Sequence, residues 1–177
     1  MNKDWYMILI MKPLSRHSFF ETGSVVWGVR SHNKFEAIRE VINRSLVFRR
    51  IEGLDLEMFA EKVIEREQLQ STGLGHGVAV AHGRVTQVLE PQIALGVSPE
   101  GIDFDAVDDE PVQLLFIIAN HPDNKMDYLQ ILSCLVSLVR NDVFRHELLS
   151  CMSTAELEIT MCSAFQNLLW KSEAQRA

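Results

Sequence analysis

At 177 residues, 47% hydrophobic and 23% charged, the chain has the size and composition of one soluble globular domain, which argues against disorder and against a membrane protein. Its net charge of −7 argues against general affinity for nucleic acid, whose phosphates demand a basic surface, and suits a basic protein partner. Cys134, Cys151 and Cys162 are odd in number and lack CxxC spacing, so they read as buried free thiols of a reducing, cytoplasmic compartment.

Along the chain, "YMILIM" is too short to span a bilayer and lacks a cleavage site, so residues 1–23 read as an N-terminal extension carrying an added strand or arm. A single domain is expected over residues 24–170, followed by a tail from 171 to 177. "SVVWGV" is a short β-prone run. From Asn33 the spacing turns helical, with Phe35, Ile38, Val41, Ile42 and Leu46 on one face of a helix of about 14 residues.

"DLEMFAEKVIEREQ" is a second helix, capped by Asp55, with Leu56, Phe59, Val63 and Ile64 inward. "VAVA" and "PQIALGVS" are short strands, and "PVQLLFIIA" is apolar enough to be central in a sheet covered on both faces. The acidic stretch "SPEGIDFDAVDDE" between the last two reads as a solvated loop or hairpin. A third long helix follows "HPDN" and packs on the sheet through Leu129, Leu132, Leu135, Val136 and Val139. A short helix capped by Asp142 comes next, and then a helix opened by Ser153 and Glu156 at capping-box spacing. The expected fold is α/β: a mixed sheet of about five strands flanked by helices on both sides.

The stretch "STGLGHGVAVAHGRV" holds the chemistry. Gly73, Gly75 and Gly77 suggest a nucleotide loop, but such a loop opens a helix after a strand, whereas here a helix precedes and a strand follows. His76 and His82, if extended, stand about 20 Å apart and cannot share a metal ion, so no metal or cofactor is expected and His76 reads as a surface residue. His82 ends an apolar strand and is followed by Gly83, which permits an unusual turn or a close approach, and by Arg84. From the residues alone, a structural and a reactive His82 both remain open. No serine or cysteine nucleophile arrangement can be read.

The segment "EREQLQSTGLGHGVAVAHG" resembles the signature of the IIA phosphocarrier domains of the bacterial phosphoenolpyruvate:sugar phosphotransferase system, in the fructose, mannitol and nitrogen-regulatory class. "IALGVSPEGIDFDAVDDEPVQLLFIIANHPDN" and "YLQILSCLVSLVRNDVFRHELLSCMSTAELEI" resemble later segments of that family in the same order, so the resemblance covers roughly residues 24 to 166. It implies that His82 accepts a phosphoryl group and that Arg66 stabilises its charge, with Thr72, Gly83 and Arg84 as candidate binding residues. Two departures stand out. Ala81 replaces the family's proline before the histidine, which frees the local φ, and Tyr128 stands where many members carry a second histidine. His121, upstream of Tyr128, is a candidate substitute if its turn folds back. The implied partners are an HPr-like donor and a IIB domain or a regulated protein, without nucleic acid or membrane insertion. The rival reading is a IIA-like module that regulates by docking alone.

Overall fold

The computed structural model describes residues 20–174, with side chains to residue 168. The strand expected in "YMILIM" lies outside the described residues. Five strands form one sheet: β1 (Val25–Trp27), β2 (Gly73–Gly75), β3 (Val78–Arg84), β4 (Gln92–Ile102) and β5 (Val112–Asn120). Their order across the sheet is β1-β4-β5-β3-β2, so β5 is central, as its unbroken apolar run predicts. β1 pairs parallel with β4 and β3 parallel with β5, while β4–β5 and β2–β3 are antiparallel. The sheet is therefore mixed, as expected.

Alternate residues of the strands feed two cores. Ala79, Ala81, Leu115, Ile117 and Ala119 face α1 (Lys34–Arg44), α2 (Leu46–Arg49) and α3 (Leu56–Leu69). Val78, Val80, Leu114, Phe116 and Ile118 face α4 (Lys125–Val139), α5 (Asp142–Ser150) and α6 (Thr154–Ala174). Each fully buried large apolar side chain contributes about 1.5–3 kcal/mol, so both faces are firmly held.

The helix starts follow their caps. Asn33 Oδ1 accepts from Phe35 and Glu36, and Asp55 Oδ1 accepts from Glu57 and Met58. At α5 the cap is Asn141 rather than Asp142, because Asn141 Oδ1 takes the Val143 and Phe144 N–H groups while Asp142 is already helical and pairs with Arg145. Ser153 Oγ accepts from Glu156 N–H, and the Glu156 carboxylate reaches back to Met152 N–H. This capping box is displaced by one residue from the usual form.

Several expectations are corrected. The first helix stops at Arg44 because the Leu46 and Val47 N–H groups both donate to Gly23 O, which breaks the helix at Ser45. Leu46 is consequently 45% exposed, and Val47 and Phe48 enter the core in its place. In α4, Leu129 is 54% exposed. The buried stripe there is Ile131, Cys134, Leu135 and Val139, rotated from the expected one, and this rotation turns Tyr128 toward the sheet. Phe20 is buried in the core, and α6 runs to Ala174. Cys134 and Cys151 are buried and free, whereas Cys162 is only half-buried. Residues 98–102 of the acidic segment complete β4 and the rest connects β4 to β5, with Asp105 and Asp109 at positive φ.

Candidate functional site

β3 carries His82 toward its C-terminal end, in register with Ile118 of β5. The period-2 alternation that sends Val78 and Val80 to the α4–α6 side sends His82 there too. β2 is antiparallel to β3 and begins only at Gly73, opposite Ala79, and the last bond along that edge runs from Val80 N–H to Thr72 O, so among the described residues β2 does not extend beside His82. The chain that precedes it turns sharply: Gly75, His76 and Gly77 all have positive φ, at 86°, 55° and 74°, a conformation glycine adopts without strain. The glycines thus build a hairpin and a short strand; no helix N-terminus follows them to hold a phosphate. His76 is exposed in this turn, at the opposite end of β3 from His82, and its N–H donates to Asp108.

Tyr128, in the first turn of α4, meets His82. Its hydroxyl and the imidazole Nδ1 share a hydrogen bond of 3.2 Å, and the rings lie 4.8 Å apart at 42°. Among the described residues, Nε2 has no such partner. Arg66, in the last turn of α3, is tethered by a hydrogen bond from its guanidinium to Gln70 O at 3.2 Å. Burial, then the positive charges of Arg66 and Arg84, push the His82 pKa down from 6.5 to about 4. Burial also raises the Tyr128 pKa, with the same two arginines opposing it. The pair is therefore a neutral imidazole against a neutral phenol near pH 7, flanked by two cations.

The Thr72 N–H donates to Glu67 at 3.0 Å and its hydroxyl donates to the same carboxylate, so its side chain anchors the glycine segment to α3. Gly83 makes no unusual turn, because β3 continues through it in regular register with Ala119. What glycine provides is room for a helix: a Cβ there would lie 2.7 Å from Val63 Cγ2 and 2.9 Å from Phe59 Cε2. Ala81 sits in the same unbroken ladder, so the missing proline does not loosen the strand. His121 does not fold back onto His82; its Nδ1 accepts from Asp123 N–H at 3.2 Å. Two residues that the sequence did not single out are Glu67, fully buried beneath Thr72 and 3.7 Å from Lys34 Nζ, and Asn120, buried at the end of β5. The only sequence signal for Glu67 is its place after Arg66 in a face that should be apolar. Nothing in the sequence marks Asn120.

The model of the family described as "Phosphoenolpyruvate-dependent sugar phosphotransferase system, EIIA 2" matches residues 18–161. The chain belongs to this family. It is 38% identical over 99 residues to the fructose-specific EIIA component of Haloferax volcanii, covering 56% of this chain and 64% of that protein. It is 30% identical over 122 residues to the nitrogen regulatory protein of Pseudomonas aeruginosa, covering 68% and 78%. The share is far smaller, 16%, for the fructose-specific EIIABC component of Bacillus subtilis. Among solved structures, the nitrogen regulatory protein IIA-Ntr of Neisseria meningitidis superposes with a TM-score of 0.73 at 29% identity, covering 80% of this chain and 95% of that one. The mannitol IIA of Escherichia coli shares the fold, with a TM-score of 0.65 at 24% identity, covering 79% and 96%. The IIA fold expected from the resemblance is therefore the fold observed. Among the described residues no helix is long and apolar enough to cross a membrane.

Proposed function

We propose that this EIIA-family chain is a phosphocarrier in which His82 Nε2 accepts a phosphoryl group from the phosphohistidine of an HPr-like protein. The observation that carries the reading is the Tyr128–His82 hydrogen bond at Nδ1, which among the described residues leaves Nε2 as the unengaged ring nitrogen, within the field of two arginines. With the Nδ1 proton donated to Tyr128 Oη, Nε2 presents a lone pair. That pair forms the new N–P bond as the donor's N–P bond breaks, and the donor imidazole leaves with the electrons of its own bond. Arg66 and Arg84 balance the charge on the three equatorial oxygens, where positioning and electrostatics do most of the catalysis.

The phosphoryl group then passes to a IIB domain or serves as a regulatory mark. A solved complex joins the mannitol IIA of Escherichia coli with its phosphorylated IIB, and we propose the same kind of acceptor here. Similarity over most of the length of nitrogen regulatory proteins supports a regulatory carrier. We place this work in the cytoplasm, where an HPr-like donor would be met.

Incubation with enzyme I, HPr and radiolabelled phosphoenolpyruvate tests the reading. Acid-labile label is expected on the wild type and none on His82→Ala. A wild type that stays unlabelled beside labelled HPr overturns transfer and leaves docking alone, and a His82→Ala variant that labels normally shows the site to be elsewhere.

A further inference from the structure

Among the described residues, Asn120 Oδ1 is the buried side-chain polar atom without a hydrogen-bond partner. The residue is 1% exposed, and its amide Nδ2 donates to His121 O at 3.1 Å, which fixes the oxygen as the free end. An unpaired buried acceptor costs on the order of 1–3 kcal/mol, and such atoms are rare enough to need a reason. Its position supplies one. Asn120 is paired in parallel register with Arg84, two positions beyond the His82–Ile118 pair. The alternation along β5 that puts Leu114, Phe116 and Ile118 on the α4–α6 side puts Asn120 there, on the sheet face that carries His82 and Arg84.

Arg84 is the complementary orphan. Among the described residues its guanidinium makes no hydrogen bond or ion pair, while its backbone carbonyl accepts from Lys62 Nζ at 3.5 Å. Directly paired strands lie about 4.8 Å apart, well within the reach of an arginine side chain, so a change of side-chain rotamers is what the contact asks of the pair. A guanidinium has five N–H donors and no acceptor, and an amide oxygen is a matched partner.

We propose that Asn120 is a positioning residue of the His82 site: its Oδ1 takes one N–H of Arg84 and holds the guanidinium over the imidazole. The remaining donors then face the phosphoryl oxygens. An exposed arginine must otherwise order its long side chain each time the group arrives, and a fixed anchor removes part of that cost. The proposal rests on the phosphocarrier reading for its effect on phosphoryl transfer, but the pairing itself is testable without it.

The test uses the full chain as wild type, Asn120→Leu, Arg84→Met and the double variant, each first shown to melt cooperatively. Asn120→Val replaces Asn120→Leu should the longer side chain overpack. After labelling through enzyme I and HPr, each single variant is expected to lose the His82 phosphoryl group about tenfold faster than wild type, and the double variant no faster than either single. NMR titration of unlabelled His82 should show both singles titrating at higher pH than wild type, because the guanidinium is either released or removed, with no further rise in the double. Losses that multiply in the double variant overturn the pairing, as does an Asn120→Leu titration that superimposes on wild type. If no chain takes label, the phosphocarrier reading fails, and the titration alone decides the pair.

Discussion

Acidification should expose the cost of keeping His82 neutral. Its pKa falls from 6.5 to about 4 in the folded chain, through burial first and then through Arg66 and Arg84. Below pH 6.5 the unfolded chain binds a proton that the folded site still refuses, so the site's contribution to stability is complete above that pH and is lost as the pH falls through 4. The fall in pKa corresponds to a ceiling of about 3 kcal/mol, and solvent at the part-exposed ring screens this to roughly 2 kcal/mol. Carboxylates titrate in the same range, so the measurement is a difference. Urea unfolding of wild type and His82→Gln is compared at steps from pH 7.5 to 4. The stability of wild type relative to the variant should fall by about 2 kcal/mol across that window. The His82 Cε1–H resonance should titrate near the same acid limb. A midpoint at or above 6.5, or a stability difference flat with pH, would refute the buried neutral imidazole.

Three substitutions probe the scaffold around it. Gly83→Ala would place a Cβ 2.7 Å from Val63 and 2.9 Å from Phe59; the resulting overpacking of α3 on β3 should cost about 1–3 kcal/mol in denaturant unfolding, and an unchanged midpoint would show that α3 yields freely. Tyr128→Phe removes the partner of Nδ1 and should slow label uptake about tenfold while changing stability by about 1 kcal/mol; equal initial rates would show that the hydroxyl does not orient the ring. Asp55→Ala strips the cap from the helix that carries Arg66 and should cost about 1 kcal/mol, read as a lower melting temperature. No drop in melting temperature would mean that packing alone starts the helix.

The elements legible in the sequence were those whose own side chains decide them. β5 is apolar at nearly every position, and only a strand covered on both faces fits that. Asn33 and Asp55 announce helix starts because a short polar side chain ahead of a periodic segment has a local use. β2 was missed because Gly73–Gly75 presents glycines, which carry no periodic signal; its existence depends on pairing with β3 and on the tight approach of Ala106 to Gly73. The break at Ser45 depends on a carbonyl at Gly23, distant in the chain, so the apolar period ran through it unseen. Asn141 and Asp142 are adjacent residues of equal capping chemistry, and only the backbone distinguishes them. The site divides the same way. His82 stood out as a polar residue ending an apolar strand, but only the family resemblance singled out a reactive role for it. Its bond to Tyr128 joins residues 46 apart, and the buried oxygen of Asn120 is created wholly by packing.

Beyond burial, one electrostatic field contributes to the low pKa of His82 and would serve the phosphoryl-accepting role proposed for it. Two cations beside the ring disfavour a third charge of their own sign, the imidazolium, and favour the dianion that replaces it. The two effects should therefore weaken together when Arg66 is lost. Arg66→Ala is expected to move the His82 midpoint up toward 6.5 and to slow label uptake about 100-fold, the scale seen when a preorganised transition-state donor is removed. Arg66→Lys separates charge from geometry: the ammonium keeps the midpoint low, but it lacks the planar fork that grips two oxygens at once, so the rate should recover only in part. An Arg66→Ala variant with midpoint and rate both at wild-type values would show that this arginine does not act on His82. Full recovery of the rate by lysine would show that the charge alone, without the fork, is what the phosphoryl group requires.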